Sequence, residues 1–311
     1  MRLTTAIKSF YRISKPSKIK VDAALQEKKF RMLGFQTFLA GTIGYSLYYV
    51  CRTSLNVVKK PILDSGMLDA SQLGLIGSVL LFAYAIGKFI NGFLADHCNI
   101  KRFMATGLLV SAVANFSLGI LGFASSVLPT MAVFMMFAIM WGINGWSQSM
   151  GAPPAIIGLS RWLPLSKRGT FYGFFSLSHN LGEWLSFLFV GILVSIAGWQ
   201  WGFVGSSIAG ALGVIVIVFF MHDNPQSKGL PAVEEMAHEK TSADKDEEST
   251  GALQKLVLKT PAVWILALAS AFMYISRYSL NSWGVLFMQE EKGFSLLEAS
   301  TIISINALAG V

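Results

Sequence analysis

The chain has 311 residues and a formal net charge of +8; 53% of its residues are hydrophobic and only 14% are charged. Soluble domains contain about 25% charged residues, so this deficit and the long apolar runs exclude a soluble enzyme, a disordered chain and a disulfide-rich secreted scaffold. Cys51 lies in an apolar run and Cys98 in a polar turn. We therefore expect no disulfide between them, and the composition indicates an integral membrane protein.

Apolar runs recur along the chain with the length of about 20 residues that a membrane-crossing helix needs. Seven complete spans are predicted, at residues 32–52, 72–94, 103–123, 129–151, 171–196, 201–221 and 262–288. An eighth run begins at Leu296 and reaches Val311. It is either a short last helix or the start of a span in a longer protein, and we expect the second.

Lysine and arginine are concentrated on one side of the predicted spans. Nine lie in residues 1–31, two in the loop after the second span, three in the loop after the fourth, and five in residues 222–260. The opposite side carries only Lys59, Lys60 and Lys292. By the positive-inside rule, the segment 1–31 is cytoplasmic. We expect no cleavable signal peptide, because this segment precedes a full-length span.

Residues 222–260 differ in composition from the rest of the chain. They contain eight acids, five lysines and two prolines, which is typical of a solvated linker between two membrane units. We predict a six-helix unit at residues 32–221, a cytoplasmic central loop at 222–260, and the start of a second unit at 261–311. Six spans before the loop suggest a plan of six plus six.

Four charged side chains fall inside predicted spans: Arg52, Lys88, Glu183 and Arg277. A charge at the centre of a membrane helix costs about 2.5 to 3.5 kcal/mol on insertion scales, so it normally faces a cavity or a partner and marks function. Two alternatives remain open at this point. Arg52 could extend its side chain to the membrane surface, and Lys88 could form a structural ion pair with Glu183.

Polar side chains at helical spacing accompany these charges on each of the four spans. The sets that share a face are Tyr45, Tyr49, Arg52 and Asn56; Tyr84, Lys88 and Asn91; Tyr172, Ser176, His179, Glu183 and Ser186; and Tyr274, Arg277, Tyr278 and Asn281. Aromatic stripes usually reflect packing. Stripes that alternate hydroxyl groups with charges are better explained by an internal, water-accessible surface.

An internal repeat relates two of these faces. Residues 49–56 read YVCRTSLN and residues 274–281 read YISRYSLN, with five of eight positions identical. Both copies centre on an intramembrane arginine, and each lies in the first span of its unit. Two halves that each contribute one arginine to a shared central site are typical of a secondary transporter.

The charges predict the kind of ligand. Arginine binds phosphate with two hydrogen bonds, whereas lysine acts as a point charge. Two arginines and Lys88, less Glu183, leave about +2, which matches the charge of roughly −1.5 to −2 on a phosphate monoester. His179 could add a donor or couple binding to protons. A carboxylate ligand needs less positive charge and ranks second.

Several segments carry a family resemblance. The turn Gly92–Arg102, GFLADHCNIKR, is similar to the loop signature of the major facilitator superfamily through Gly92, Asp96, Lys101 and Arg102, with His97 where an arginine is usual. With GINGWSQSMGAPP, SLSHNLG, MHDNPQSKGLP and the two arginine segments, the chain from about Phe30 onward resembles the organophosphate:phosphate antiporters of that superfamily.

The resemblance implies an all-α polytopic membrane protein of the major facilitator fold, here an N-terminal six-helix bundle plus the first two helices of a second bundle. It implies that Arg52 and Arg277 bind phosphate, with His179 and Lys88 nearby and Tyr45, Tyr49 and Tyr274 lining the pore. Glu183 departs from the family pattern, where a small residue is usual, and is a candidate coupling residue. The implied conformational loop is Gly92, Asp96, Lys101 and Arg102.

The sequence therefore predicts exchange of an organic phosphate for inorganic phosphate across a bacterial inner membrane by alternating access. The alternatives are a membrane sensor of hexose phosphate, which would keep the same arginines, and a proton-coupled carrier of organic anions using His179 and Glu183. We expect a monomer in the lipid bilayer without cofactor, metal or nucleic acid. We expect no enzymatic activity, because no metal-spaced cluster, phosphate loop or nucleophile motif is found.

Overall fold

The computed structural model describes residues 2–237 and 256–310, and within these ranges the chain folds into α-helices joined by short turns. The helices are α1 (Arg2–Tyr11), α2 (Ala23–Asp64), α3 (Ala70–Asp96), α4 (Ile100–Ala124), α5 (Thr130–Gln148), α6 (Ala152–Trp162), α7 (Leu165–Ala197), α8 (Trp199–Phe220), α9 (Val233–Ala237), α10 (Pro261–Glu290) and α11 (Leu296–Leu308). Short 3-10 turns occupy Ser125–Val127 and Gln226–Lys228. The predicted all-helical class is confirmed.

Six helical stretches of the described chain are long and apolar enough to cross a membrane. They are Ala70–Asp96, Ile100–Val127, Thr130–Trp162, Leu165–Ala197, Trp199–Phe220 and Pro261–Glu290. Each matches a predicted span. The predicted first span, 32–52, lies within the 42-residue helix α2, which does not reach the same apolarity. Its tyrosines, threonines and glycines contact protein on the inside of the bundle, so they need not be lipophilic.

Helix α2 is the central element of the bundle. It packs chiefly against α7 and α8, and also contacts α10 of the second unit. The second unit makes another contact through α11, which packs along α7. Helices α7 and α8 are joined by Gly198 alone, whose φ of 97° allows the chain to reverse within one residue. The two units thus meet along α2–α10 and α7–α11.

One end of the bundle carries the N-terminal segment, and we call it the N-terminal end. Buried Asp223 holds several chain segments together there: its carboxylate accepts from the Ser14 and Ile100 main-chain N–H groups at 2.7 and 3.0 Å and pairs with Arg161 at 2.7 Å. Leu230 and Val233 are also buried. The prediction of a solvated linker is therefore wrong for residues 222–237, because these side chains cover the helix ends. Residues 238–255 of that linker lie outside the described residues.

Glycines at two positions allow close contacts between helices. A Cβ on Gly145 would overlap the main-chain oxygen of Leu80, and one on Gly182 would overlap that of Ser46. Small residues of this kind let membrane helices approach to backbone contact. Gly77, in contrast, has open space around it.

Replacement of Gly182 by alanine is expected to lower the free energy of unfolding of the protein in detergent by about 1 to 3 kcal/mol, because α7 must move away from α2. Gly173→Ala is the matched control on the same helix, where an added Cβ meets nothing within 4 Å. Thermal unfolding of both variants checks the prediction. Equal stability of the two would contradict the proposed close contact.

Candidate functional site

The repeat places Arg52 on α2 and Arg277 on α10, two helices that pack against each other across the two units. The turn that carries Arg52 is fixed by the main-chain oxygen of Cys51, which accepts from the Asn115 and Asn144 amides at 2.9 and 3.0 Å. Arg52 is only 6% exposed. The alternative that it extends to the membrane surface is therefore wrong.

Three tyrosine rings surround the Arg52 guanidinium. Its central carbon lies 4.1 Å from the centroid of Tyr84, 5.4 Å from Tyr49 and 5.7 Å from Tyr278. Its Nη2 also donates to the Tyr278 hydroxyl at 3.1 Å. Aromatic faces stabilise a desolvated guanidinium by about 0.5 to 2 kcal/mol each. The rings thus hold the group in place without neutralising it.

Arg277 has a different environment, because it is paired with an acid of the first unit. Its Nη2 donates to the Glu183 carboxylate at 2.9 Å and to Asn180 Oδ1 at 2.5 Å. Glu183 is 3% exposed. The suggested ion pair between Lys88 and Glu183 is wrong, since Arg277 reaches this carboxylate and exposed Lys88 lies 5.5 Å from the Tyr84 ring.

A cavity of about 730 Å³ lies between the two units and collects most of the predicted site. It extends from Arg277 to Asp96, at the N-terminal end. Predicted residues that line it are Tyr45, Tyr49, Lys88, Gly92, Asp96, His179, Glu183, Tyr274 and Arg277. The His179 ring stands 6.0 Å from that of Tyr49. Only Arg52 of the predicted binding set does not line this cavity.

Arg52 lines a second, smaller cavity of about 110 Å³. The two cavities adjoin, since Glu183 and Tyr278 line both. The smaller one is also lined by Lys59, which the sequence predicts in a loop on the opposite side from the N-terminal segment. That placement is wrong, because Lys59 is 2% exposed and belongs to the continuing helix α2.

The spacing of Lys59 from Arg52 and Asn56 repeats the helical period of the polar face on α2, and this signal could have identified it. Asn180 follows Ser176 by four residues and precedes Glu183 by three, so the same spacing could have placed it beside the polar face of α7. Asn91 shares a predicted face with Lys88 but bonds to Ser149 at 2.6 Å, joining α3 to the end of α5 instead of lining either cavity.

The charges around both cavities favour an anion. Four cations line them, Arg52, Lys59, Lys88 and Arg277, against two carboxylates, Glu183 and Asp96. The formal charges of these side chains sum to +2, which equals the charge expected from the sequence, although different residues contribute to it. Charges inside a low-dielectric wall interact more strongly than they do in water. The site can therefore bind and orient a doubly charged anion.

The predicted loop motif connects helices at the N-terminal end. Arg102 donates to the main-chain oxygen of Phe10 at 2.6 Å, Lys101 to that of Val218 at 3.1 Å, and Asp96 accepts from Arg161 through its own main-chain oxygen at 3.4 Å. Burial, with Lys228 and Lys101 nearby, lowers the pKa of His222 to about 4. Burial also raises the pKa of the Cys98 thiol. Cys51 and Cys98 are both free thiols, as expected.

The fold and site define a multi-pass helical membrane protein with a basic cavity between two helical units. The Major Facilitator Superfamily profile matches residues 41–311. The chain belongs to this superfamily, as the sequence motifs indicated. Among solved structures, it resembles a bacterial homologue of the human lysosomal transporter Spinster, with a TM-score of 0.71 at 20% identity over 89% of this chain and 60% of that one. This likeness supports the fold.

The chain is also similar in sequence to several named proteins. The chain is 33% identical to a probable hexose phosphate transport protein of Chlamydia muridarum over 93% of its own length and 64% of that protein. It is 32% identical to the glycerol-3-phosphate transporter of Bacillus subtilis, over 89% of this chain and 62% of that one. The membrane sensor protein UhpC of Salmonella typhimurium is also 32% identical, over 86% and 60%. The resemblance to organophosphate transporters is confirmed.

Proposed function

We propose that the full-length protein exchanges an organic phosphate, a sugar phosphate or glycerol 3-phosphate, for inorganic phosphate. One observation carries this proposal: Arg52 and Arg277 come from different units and reach adjoining cavities that share Glu183 and Tyr278. The names of the relatives support the same substrate class. The chain spans about 64% of the length of the first of these relatives, so the proposal concerns the whole protein.

The exchange needs only binding and a change of conformation. In this structure Arg277 is satisfied by Glu183, and Arg52 by aromatic rings and a hydroxyl group. A phosphate would compete with these partners and bind both guanidiniums, which draws α2 and α10 together. A ligand shifts a conformational equilibrium only through such a difference in affinity between states.

The contacts between the units indicate which state the structure represents. At the end opposite the N-terminal segment, which we call the far end, Lys60 of α2 pairs with Glu290 of α10 at 2.7 Å. The large cavity runs towards the other end, where Asp96 lines it. We therefore assign this structure to the state of the proposed cycle in which the cavity is open at the N-terminal end and closed at the far end.

The charge distribution gives the orientation that completes the proposal. Basic residues cluster at the N-terminal end, where Arg102 and Arg161 bind the loops. With the positive-inside rule this end is cytoplasmic, in a bacterial inner membrane. We propose that a monomer completes the cycle, because both arginines come from one chain.

Exchange is tested in proteoliposomes that contain the full-length protein and internal phosphate. Labelled phosphate added outside should enter the liposomes. Unlabelled glucose 6-phosphate or glycerol 3-phosphate added outside afterwards should release the labelled phosphate from them. Empty liposomes serve as the control. Binding of a phosphate ester without any flux of either compound would overturn the transport proposal and favour the sensor, the class named in the UhpC relative.

A further inference from the structure

Lys59 is a buried cation for which the proposed exchange has no role so far. It lies on the same face of α2 as Arg52, two turns closer to the far end, and is 2% exposed. Within the described residues its ammonium forms no ion pair with a carboxylate. Its neighbour Lys60 does, with Asp64 and Glu290. The chain therefore buries the lysine that lacks a counter-charge.

The partners of Lys59 are neutral groups of the second unit. Nζ donates to the main-chain oxygen of Ser282 at 2.6 Å and lies 3.8 Å from the centroid of the Trp283 ring. Burial of an ammonium group without a counter-charge costs several kcal/mol, which one carbonyl and one aromatic face offset only in part. An anion that binds the ammonium in another state of the protein would supply the missing counter-charge.

The small cavity supplies the path for this anion. Lys59 and Arg52 line it together, with the polar side chains of Thr53, Asn56 and Ser78. Its one lining acid is Glu183, whose carboxylate is already bonded to Arg277. Two buried cations on one helix face thus share a chamber that offers them no free carboxylate.

We propose that Lys59 is a second anion-binding position, which binds the phosphate group of the substrate at the far end before Arg52 receives it. The inference rests on the proposed exchange function. When the far end closes, the ammonium releases the phosphate and binds Ser282 and Trp283 of α10 instead. A charge-assisted bond to phosphate is stronger than a bond to a neutral carbonyl, so an arriving phosphate competes with α10 for Lys59.

A lysine that only closed the far end would give the opposite kinetic result. Its loss would favour the state open at the far end and would lower the KM for phosphate on that face. Loss of a binding position raises that KM. The sign of the change therefore separates the two roles.

The test measures phosphate exchange by the full-length protein in vesicles of known orientation, with KM determined on each face. Lys59→Met is expected to raise KM on the far face about tenfold and to leave KM on the N-terminal face within about twofold, because one charge-assisted contact is lost. Lys59→Gln keeps a donor for the Ser282 oxygen without the charge and should give the same rise. Lys59→Arg should remain within about threefold of the wild type.

Lys292→Met is the matched control, since it removes an exposed lysine at the far end whose Nζ is 5.9 Å from the Phe287 ring. It should leave both KM values unchanged. An unchanged or lower far-face KM in both neutral Lys59 variants would overturn the inference and leave the exchange proposal intact. Absence of exchange in the wild type would overturn the proposed function and this inference with it.

Discussion

Lysine at position 52 or 277 is expected to reduce phosphate exchange at least about 100-fold, although the charge is conserved. Arg52 presents a planar group between tyrosine rings and donates to Tyr278, and Arg277 donates from one nitrogen to both Glu183 and Asn180. An ammonium can neither stack in the same way nor offer two parallel donors to phosphate.

The measurement is initial exchange of labelled phosphate in proteoliposomes, normalised to the amount of inserted protein. Arg31→Lys is the matched control, because this arginine is exposed at the N-terminal end and, in the part of the chain that the structure describes, its ion pair is with Glu27. We expect it to behave as wild type. Exchange above half of the wild-type rate in Arg52→Lys or Arg277→Lys would refute the assignment of these residues as phosphate ligands.

Glu183→Gln is expected to tighten phosphate binding about tenfold, which corresponds to about 1.4 kcal/mol. The carboxylate now pairs with Arg277 at 2.9 Å and is 3% exposed, so phosphate has to displace it. Glutamine removes the competing charge and raises the formal charge of the site by one. Because a tightly held ligand leaves slowly, we also expect a lower maximal rate of exchange.

Phosphate binding to detergent-solubilised protein and exchange at acidic, neutral and alkaline pH check this prediction. Glu291→Gln is the control, because it removes an exposed carboxylate at the end of α10 that lies outside both cavities. A carrier that couples transport to a proton on Glu183 would lose its pH dependence in the glutamine variant. If the wild type and Glu183→Gln show the same pH profile, the proton-coupled alternative loses its support.

Much of the architecture could be predicted because the membrane imposes simple rules on a sequence. Apolar runs of sufficient length indicated six helices correctly, and the repeat around Arg52 and Arg277 indicated that two units share a cavity. Helix α2 was harder to delimit. Its polar face is shielded by protein, so hydropathy underestimates its extent, which reaches from Ala23 to Asp64.

This underestimate of the length of α2 also explains why the sequence predicts Lys59 in a loop. Hydropathy ends the first predicted span at residue 52, so a lysine seven residues later was assigned to a loop. The helix continues because Asn56 and Lys59 face a cavity and the second unit, where Ser282 and Trp283 satisfy the ammonium. Partners that lie more than 200 residues away in the chain cannot be read from local spacing.

The sequence by itself determined the class of the protein, the approximate spans and the chemical type of the site, because the cost of a charge in lipid depends only on residue type and position in a span. Only the tertiary structure decided how the charges are paired. It assigned Glu183 to Arg277, enclosed Arg52 in aromatic rings and buried Lys59 beside Trp283. Pairing depends on distances between helices, and these are set by packing across the whole bundle.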